Sequence, residues 1–595
     1  MDADAHPRRP LSFRAELALA AAISALATLH AEWAILFSPY TFQSDAMIHE
    51  WWMRQWRDPA LFHDPLTAAV KATGFVPVGL RAIDWTAAQL VDPVAFAAWT
   101  PLLLVPASVG MLFAIVRDHT SWRPAAWLAC ALFVVPWDIE RFSGGHARAY
   151  AQPIALAALL LAQRGRERSA AAVPPLGALV YPPAAAAALA MLGLRSLVRV
   201  PRRTRLLLVG ASTAATLAAV ELSGSHPPLT LAEAQRSPDF GAHGQLPLFG
   251  HSLVTYLSQN FTGFNLLGSG SLLAVAAAAV IAIRWRTARE IRLEVWATAV
   301  SALAVFAFAQ AVLLRLYLPN RYTYPLLPVF CIVIAVGWLP AWRRLARSLP
   351  APLLWAAAVA VPAAIAGVAL AVSPLGPRMS ASALGRTFLH AAPVTAAGLA
   401  LVAAAIVLRR RRAAPVLAAA VAAALLFGQV AYAGGGASPA QTCTDLPLLH
   451  ELAGLPVGAV IAGDPRQMNC VPIVSLRAVV ISQKLYQPIE IAYTRVVRTR
   501  MRAMATAEFG PSRASILALR RRFDASYLVV QPSTLRTRRV PAGWQDMEPY
   551  TSLIARLLRA PAGPAALRLP AACAVWRRPP DVVYDLACVA ARSRR

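Results

Sequence analysis

AAAVPPLGALVYPPAAAAALAMLG (residues 170–193) is the stretch on which the fold turns. It is apolar enough for a membrane interior, yet it carries two Pro-Pro pairs, Pro174-Pro175 and Pro182-Pro183. Arginine clusters at 164–168 and 195–205 flank it. Basic loops gather on one side of a membrane, so a single crossing would strand one cluster on the wrong side. Two short half-helices hinged at Tyr181-Pro182-Pro183 keep both clusters together. Such breaks are tolerated at membrane depth where protein or a cavity surrounds them. The alternative is one Pro-kinked span with an imperfect charge bias.

The rest of the chain supports a membrane setting. It has 595 residues, 58% of them hydrophobic, with a mean hydropathy of +0.52. Apolar runs recur at 15–37, 94–116, 124–138, 148–163, 206–222, 264–283, 293–314, 324–340, 351–373, 390–408 and 413–432. Runs of about 20 residues are what a hydrocarbon core of about 30 Å demands. Further arginine clusters at 284–292, 343–347 and 409–412 share a side with the first two if the N-terminus is cytoplasmic. The N-terminal run is too long for a signal peptide and reads as a retained first helix.

The expected fold class is therefore mainly α: a polytopic helical membrane domain (1–432) of 11 spans plus the hairpin, or 13 segments. The tail, 433–595, is left outside. The net charge of +28 is almost all arginine, since Lys71 and Lys484 are the only lysines. These arginines sit in short loops between apolar runs, which argues against nucleic acid as a partner.

Strand-like runs (VGAVIAG, IVSLRAVVIS, ASYLVVQ) alternate with helical ones (TDLPLLHELAG, YTRVVRTRMRAMATAEF) in that tail. This pattern predicts a small α/β domain. No phosphate-binding loop or nucleophile motif follows its strands, so it reads as a binding or structural lid. Four of the six cysteines fall there, and an even count suits an oxidising compartment. The local pairings are Cys443 with Cys470 and Cys573 with Cys588. Cys130 and Cys331 lie in apolar runs as small core residues.

The chemistry concentrates in loops on the side away from the arginine clusters. The first, 38–93, begins with QSDAMIHEWWMRQWRDPALFHDP (43–65). If 44–57 is helical, a step of 100° per residue sets Asp45, His49, Trp52 and Trp56 on one stripe, with Glu50, Arg54 and Arg57 roughly opposite. A carboxylate can take a proton from a hydroxyl or hold a divalent cation, and flat indoles suit sugar rings or prenyl chains. Asp58-Pro59 and Asp64-Pro65 end the helix, and Asp64 is a further candidate carboxylate. Each has a plainer reading: Trp at a membrane interface, Asp45 as a helix-terminal charge, Asp64 as a turn residue. HEWWM lacks the second His of a zinc-protease motif.

Arginines on this side run against the usual charge bias and are the complementary half. Arg141, His146 and Arg148 surround Gly144-Gly145, and Arg315 and Arg321 lie in RLYLPNRYTYP (315–325). A guanidinium fork matches phosphate geometry, so they are candidates for a lipid-linked phosphate. Ordinary headgroups, or Asp138 and Glu140, are the alternative partners.

These features together resemble the GT-C superfamily of membrane glycosyltransferases. The resemblance rests on DAMIHEWWMRQWRDPALFHDP (45–65), RAYAQPIAL (148–156), LVYPP (179–183) and LPNRYTYP (318–325). It covers most of the chain as an order of features and about 40 residues as specific motifs. It implies an outer-leaflet enzyme of the bacterial cytoplasmic membrane that uses a polyprenyl-phosphate-linked sugar and inverts the anomeric centre. Asp45 would be the general base, and Arg321 with Tyr322 would stabilise the leaving phosphate. Glycan, lipid or protein would be the acceptor. Ser44-Asp45-Ala46 stands where many members have an acidic pair, which leaves a divalent cation (Mg or Mn) open. A transporter or lipid flippase, motivated by the broken segment, and a non-catalytic assembly scaffold remain as alternatives.

Overall fold

The structure is a computed structural model. It describes residues 12–134, 141–198, 203–222, 228–246, 285–312, 318–337 and 440–593, with short pieces around 248, 273–282 and 315. The expected spans at 351–373, 390–408 and 413–432, and most of that at 264–283, lie outside the described residues.

The 170–193 stretch is a hairpin. Its first arm is Glu167–Val180 and its second Pro182–Val198. Tyr181 between them has φ −149° and ψ 87°, because a residue followed by proline is pushed out of the helical region. Small residues line the contact faces: Ala170, Gly177 and Ala178 on the first arm, Ala184, Ala185 and Ala188 on the second, all buried. Small side chains let apolar helices approach closely. A Cβ at Gly177 would come within 2.9 Å of Ile154 in the neighbouring Ala151–Gln163 helix.

Polar groups pin the open end of the hairpin. Arg195 near the end of the second arm meets Glu167 at the start of the first at 2.6 Å, and Glu294 at the start of the Leu293–Ala311 helix at 3.0 Å. A single kinked span would hold Glu167 and Arg195 apart, so this contact decides between the two sequence readings. Arg164 pairs with Asp118 at 2.9 Å, and Arg292 donates to the carbonyls of Asp118 and Gln163. Glu16 near the start of the Phe13–Ala31 helix meets Arg123 at 3.0 Å. These contacts gather three of the arginine clusters at one end of the bundle. The hinge at Tyr181 lies at the other.

Among the described residues, four helices are long and apolar enough to cross a membrane: Phe13–Ala31, Pro93–His119, Arg203–Leu222 and Leu293–Ala311. Helices at three other expected spans are shorter: Arg123–Phe133, Ala151–Gln163 and Leu326–Gly337.

The tail forms a mixed sheet of order β4-β3-β5-β7-β6. Its strands are β3 (Val460–Ala462), β4 (Ala478–Val479), β5 (Ala525–Val530), β6 (Ala574–Arg578) and β7 (Asp581–Asp585). β3 runs parallel to β4 and β5, while β7 runs antiparallel to β5 and β6. Disulfides join Cys443 to Cys470 and Cys573 to Cys588. Cys130 and Cys331 are buried in the helical part, as expected of small core residues.

The first loop and the tail are one packed unit. β1 (Thr41–Gln43) pairs antiparallel with β2 (Ala440–Thr442). Met47, Trp51, Met53 and Phe62 from the loop share a continuous core with Leu448, Ile461, Val497 and Leu528 from the tail. Residues 400 positions apart in sequence thus bury one another's apolar surface, the dominant favourable term in such packing.

Arg195→Leu takes the cation away from a buried carboxylate, Glu294. Breaking a buried pair from one side costs about 3–5 kcal/mol, so the purified variant should show a thermal midpoint several degrees below wild type. An unchanged midpoint would show that this contact does not hold the hairpin closed.

Candidate active site

The first loop enters the site through β1. Gln43 ends the strand, and its Oε1 accepts from the backbone N–H of Asp45 at 2.5 Å. A helix then runs only from Ala46 to His49 before tightening to a 3₁₀ turn over Trp51–Trp56. This corrects the expectation of one helical stripe over 44–57. A 3₁₀ turn advances about 120° per residue, so the 100° step that defined the stripe does not hold past His49. Trp52 is 3% exposed and packs edge-on against Trp56 at 5.4 Å, with Lys71 and Arg81 over its ring. Trp52 is a core residue here, too enclosed to offer a stacking face, and Trp56 is partly buried against the same core. Asp64 lies apart from Asp45 as a helix cap. Its Oδ1 accepts from the N–H groups of Leu66 and Thr67, and its Oδ2 from the Thr67 hydroxyl.

Asp45 meets Arg148 at 2.6 Å. Arg148 comes from the Gly144-Gly145 turn, whose backbone only glycine suits. Gly144 has φ +75°, and a Cβ there would lie 2.6 Å from His146 Nε2 and 2.9 Å from the Gln43 side chain. The turn therefore lets His146 reach Gln43 Oε1 at 2.5 Å on one side and Glu50 on the other. His49 stands next to this group, its ring 5.6 Å from that of His146 and 5.8 Å from that of Phe75.

The charges sort themselves by burial and by partner. Burial alone would raise the Asp45 carboxyl, but opposing charges, Arg148 first, hold it well below the usual carboxylate range. Burial pushes Glu50 well above that range, and the charge on Asp45 adds to the shift. Burial lowers both His49 and His146 to about 3. The set is consistent with one ionised carboxylate, Asp45, beside a neutral Glu50–His146 pair. Protonated Glu50 then donates to Nδ1, and Nε2–H donates to Gln43. The Asp45 side chain keeps 26% of its surface exposed, so a substrate hydroxyl can reach it.

A second group lies on the adjoining wall. Gln152, one turn beyond Arg148, donates to the Tyr324 carbonyl at 2.9 Å. The Tyr324 ring is stacked on that of Tyr181, the hairpin hinge, at 6.4 Å. Arg141 lies 4.6 Å from its centroid and Arg321 5.7 Å, and Arg321 also donates to the phenol oxygen. Tyr322, the neighbour expected beside Arg321, is buried with Phe306 and Ala309. Arg315 is exposed at a separate cavity with Thr230, Leu231 and Val312.

This donor set does not fit a divalent cation. Hard cations take several oxygen ligands, whereas Asp45 is met by a guanidinium and Glu50 is held neutral. Among the described residues, no three His, Cys, Asp or Glu side chains converge on a metal-sized point.

Sequence reasoning missed Gln43, Glu50, Tyr324 and Lys484. Glu50 was hidden by the assumption of a regular α-helix. Lys484, whose Nζ donates to Ser44 Oγ, comes from the far end of the chain. Its one signal was its rarity among 57 basic residues.

No protein-family model and no curated protein matches the chain. Solved structures do. ArnT from Cupriavidus metallidurans matches in its apo state with a TM-score of 0.52 at 15% identity, over 96% of this chain and 98% of that one. The same protein bound to undecaprenyl phosphate matches with the same score and identity, over 97% and 98%. The Archaeoglobus fulgidus oligosaccharyltransferase in its apo form follows with a TM-score of 0.50 at 12% identity, over 91% and 72%. The chain therefore shares the fold of these solved proteins, in line with the polytopic helical fold that the sequence resemblance implied.

Stability should carry the mark of the neutral imidazole at His146. An unfolded chain protonates histidine near about 6.5, while folding holds His146 neutral down to about 3. Its contribution is therefore complete above the unfolded value and is lost as pH falls from there toward the folded one. Denaturant unfolding of His146→Gln should show a shallower loss of stability with falling pH over that window than wild type. An equal slope would mean that His146 is already charged in the folded state.

Proposed function

We propose that this protein is a glycosyltransferase of the bacterial cytoplasmic membrane. It moves a sugar from a polyprenyl-phosphate-linked donor to an acceptor hydroxyl at the outer face. The observation that carries this reading is the pairing of a reachable, ionised Asp45 with the Arg141–Arg321–Tyr324 wall, in a fold shared with a protein solved with undecaprenyl phosphate.

Two independent features support an outward-facing site. The arginine-rich end of the bundle lies opposite the hinge and the site, as expected if that end is cytoplasmic. The unit that packs over the site carries both disulfides, which persist in oxidising compartments. With the N-terminal helix starting at the arginine-rich end, the N-terminus is cytoplasmic and the tail periplasmic.

The chemistry follows from the two walls. The acceptor hydroxyl donates to the Asp45 carboxylate, and its oxygen attacks the anomeric carbon. The C–O bond to the lipid phosphate breaks, and the proton passes to Asp45 as the glycosidic bond forms. Displacement from the face opposite the phosphate inverts the anomeric configuration. Arg321 and Arg141 stabilise the charge that collects on the departing phosphate, a preorganised electrostatic role. Arg148 orients Asp45 and keeps it ionised. Protonated Glu50 and neutral His146 hold the Gln43–Asp45 turn without adding charge. No step requires a metal.

Asp45→Asn should slow release of undecaprenyl phosphate from lipid-linked sugars by on the order of 10²–10⁴-fold, read by mass spectrometry of the extracted lipid, while undecaprenyl phosphate still binds. Arg321→Gln should instead weaken that binding, by about tenfold or more. Full turnover by the Asp45 variant would sink the mechanism, and unchanged lipid binding by the Arg321 variant would sink the donor site.

A further inference from the structure

Lys484 belongs to the tail, yet its ammonium donates to the hydroxyl of Ser44, the residue next to Asp45. The segment that carries it is held on every side. Its backbone N–H donates to Asn469 Oδ1 at 2.9 Å, and the Gln483 N–H to the Pro465 carbonyl at 2.8 Å. Tyr493 donates to the Leu485 carbonyl at 2.6 Å. Tyr486 is fully buried, with its phenol on Asp239 at 2.5 Å and on Tyr550 at 3.1 Å. Asn469 adjoins Cys470, whose disulfide to Cys443 leads into the β1–β2 pairing. A long, flexible side chain is thus set on a rigid frame and aimed at the site, as preorganised binding groups are.

Its surroundings leave it under-used. An ammonium has three N–H donors, and among the described residues the Ser44 hydroxyl is the hydrogen-bond partner of its side chain. No carboxylate lies within ion-pair distance of it among the described residues, although Arg148, Arg54, Arg195 and Arg498 each have one. Burial lowers its pKa, and of its charged neighbours Asp45 opposes that shift while Arg148 and Arg466 add to it. A half-buried cation in this position gains from an arriving anion.

The positions of the other cations say which anion. Asp45 answers Arg148, and a lipid phosphate in the proposed mechanism answers Arg141 and Arg321 at Tyr324. Lys484 is left, touching the residue before Asp45 and drawn from the unit that covers the site. We propose that Lys484 binds an anionic group on the acceptor, so that the acceptor bears a phosphate or carboxylate near its reacting hydroxyl. This rests on the glycosyltransferase reading for the word acceptor, but not for the anion site itself.

The chain offers its own test, because Lys71 is its only other lysine. The full-length protein in nanodiscs is acylated with an amine-reactive reagent, and both lysines are followed by mass spectrometry. Undecaprenyl phosphate is added to saturation, then inorganic phosphate is titrated as the probe. The expected result is that undecaprenyl phosphate leaves Lys484 reactive, and that phosphate then slows its acylation by about tenfold with Lys71 unchanged. Phosphate affinity, read by isothermal titration calorimetry on the same nanodiscs, should fall by a similar factor in Lys484→Gln and be kept in Lys484→Arg. Protection by undecaprenyl phosphate alone would overturn the assignment by moving Lys484 to the donor site. Protection by neither would overturn it by leaving Lys484 as a tie between loop and tail. Absence of any undecaprenyl phosphate binding would instead count against the enzyme reading, and the response of Lys484 to phosphate would still be read separately.

Discussion

A tyrosine followed by two prolines governs the membrane part of this protein. Residues before proline are driven out of the helical region, so Tyr181 breaks an apolar segment that would otherwise cross. Once broken, the segment returns on itself, and Arg195 can reach Glu167 and Glu294. That contact brings the arginine-rich ends of neighbouring helices together. The same break lays the Tyr181 ring on Tyr324 at the opposite end of the bundle. One backbone constraint therefore contributes to both the charge asymmetry and the wall of the site.

At the hinge end, polar groups are organised around a single ionised carboxylate. Glu50 and the two imidazoles are enclosed by the same packing, and burial drives each toward its neutral form. Asp45 escapes because Arg148 pairs with it at 2.6 Å. The contrast between Asp45 and Glu50, five residues apart, shows how partner and burial divide one residue type into two states. It also explains why the loop can hold so much polar chemistry without repelling itself. Two further cations gather at Tyr324 and another at Ser44, the residue before that carboxylate.

Much of this was legible in the residues. Apolar runs and arginine clusters foretold the helical bundle and its hairpin, because both answer to local rules of hydropathy and backbone sterics. The strand at 525–530 and the helix at 491–509 follow their sequence patterns closely. Asp45, His146 and Arg148 were candidates on type and position alone. The Trp stripe was not found, since it assumed 3.6 residues per turn where the chain tightens to a 3₁₀ turn. Tyr322 and Tyr324 could not be told apart, because two neighbours in a short turn differ only in what each face meets.

By itself, then, the sequence determined the apolar helical class, the break at Tyr181, the α/β tail and the acidic first loop, all of which depend on neighbours within one or two turns. Tertiary structure alone decided which polar groups meet. The pairing of β1 with β2 joins residues 41–43 to 440–442, and the shared core behind it seats Lys484 beside Ser44. Such contacts arise from burial of apolar surface shared between distant segments, a non-directional force that leaves no spacing in the chain to read.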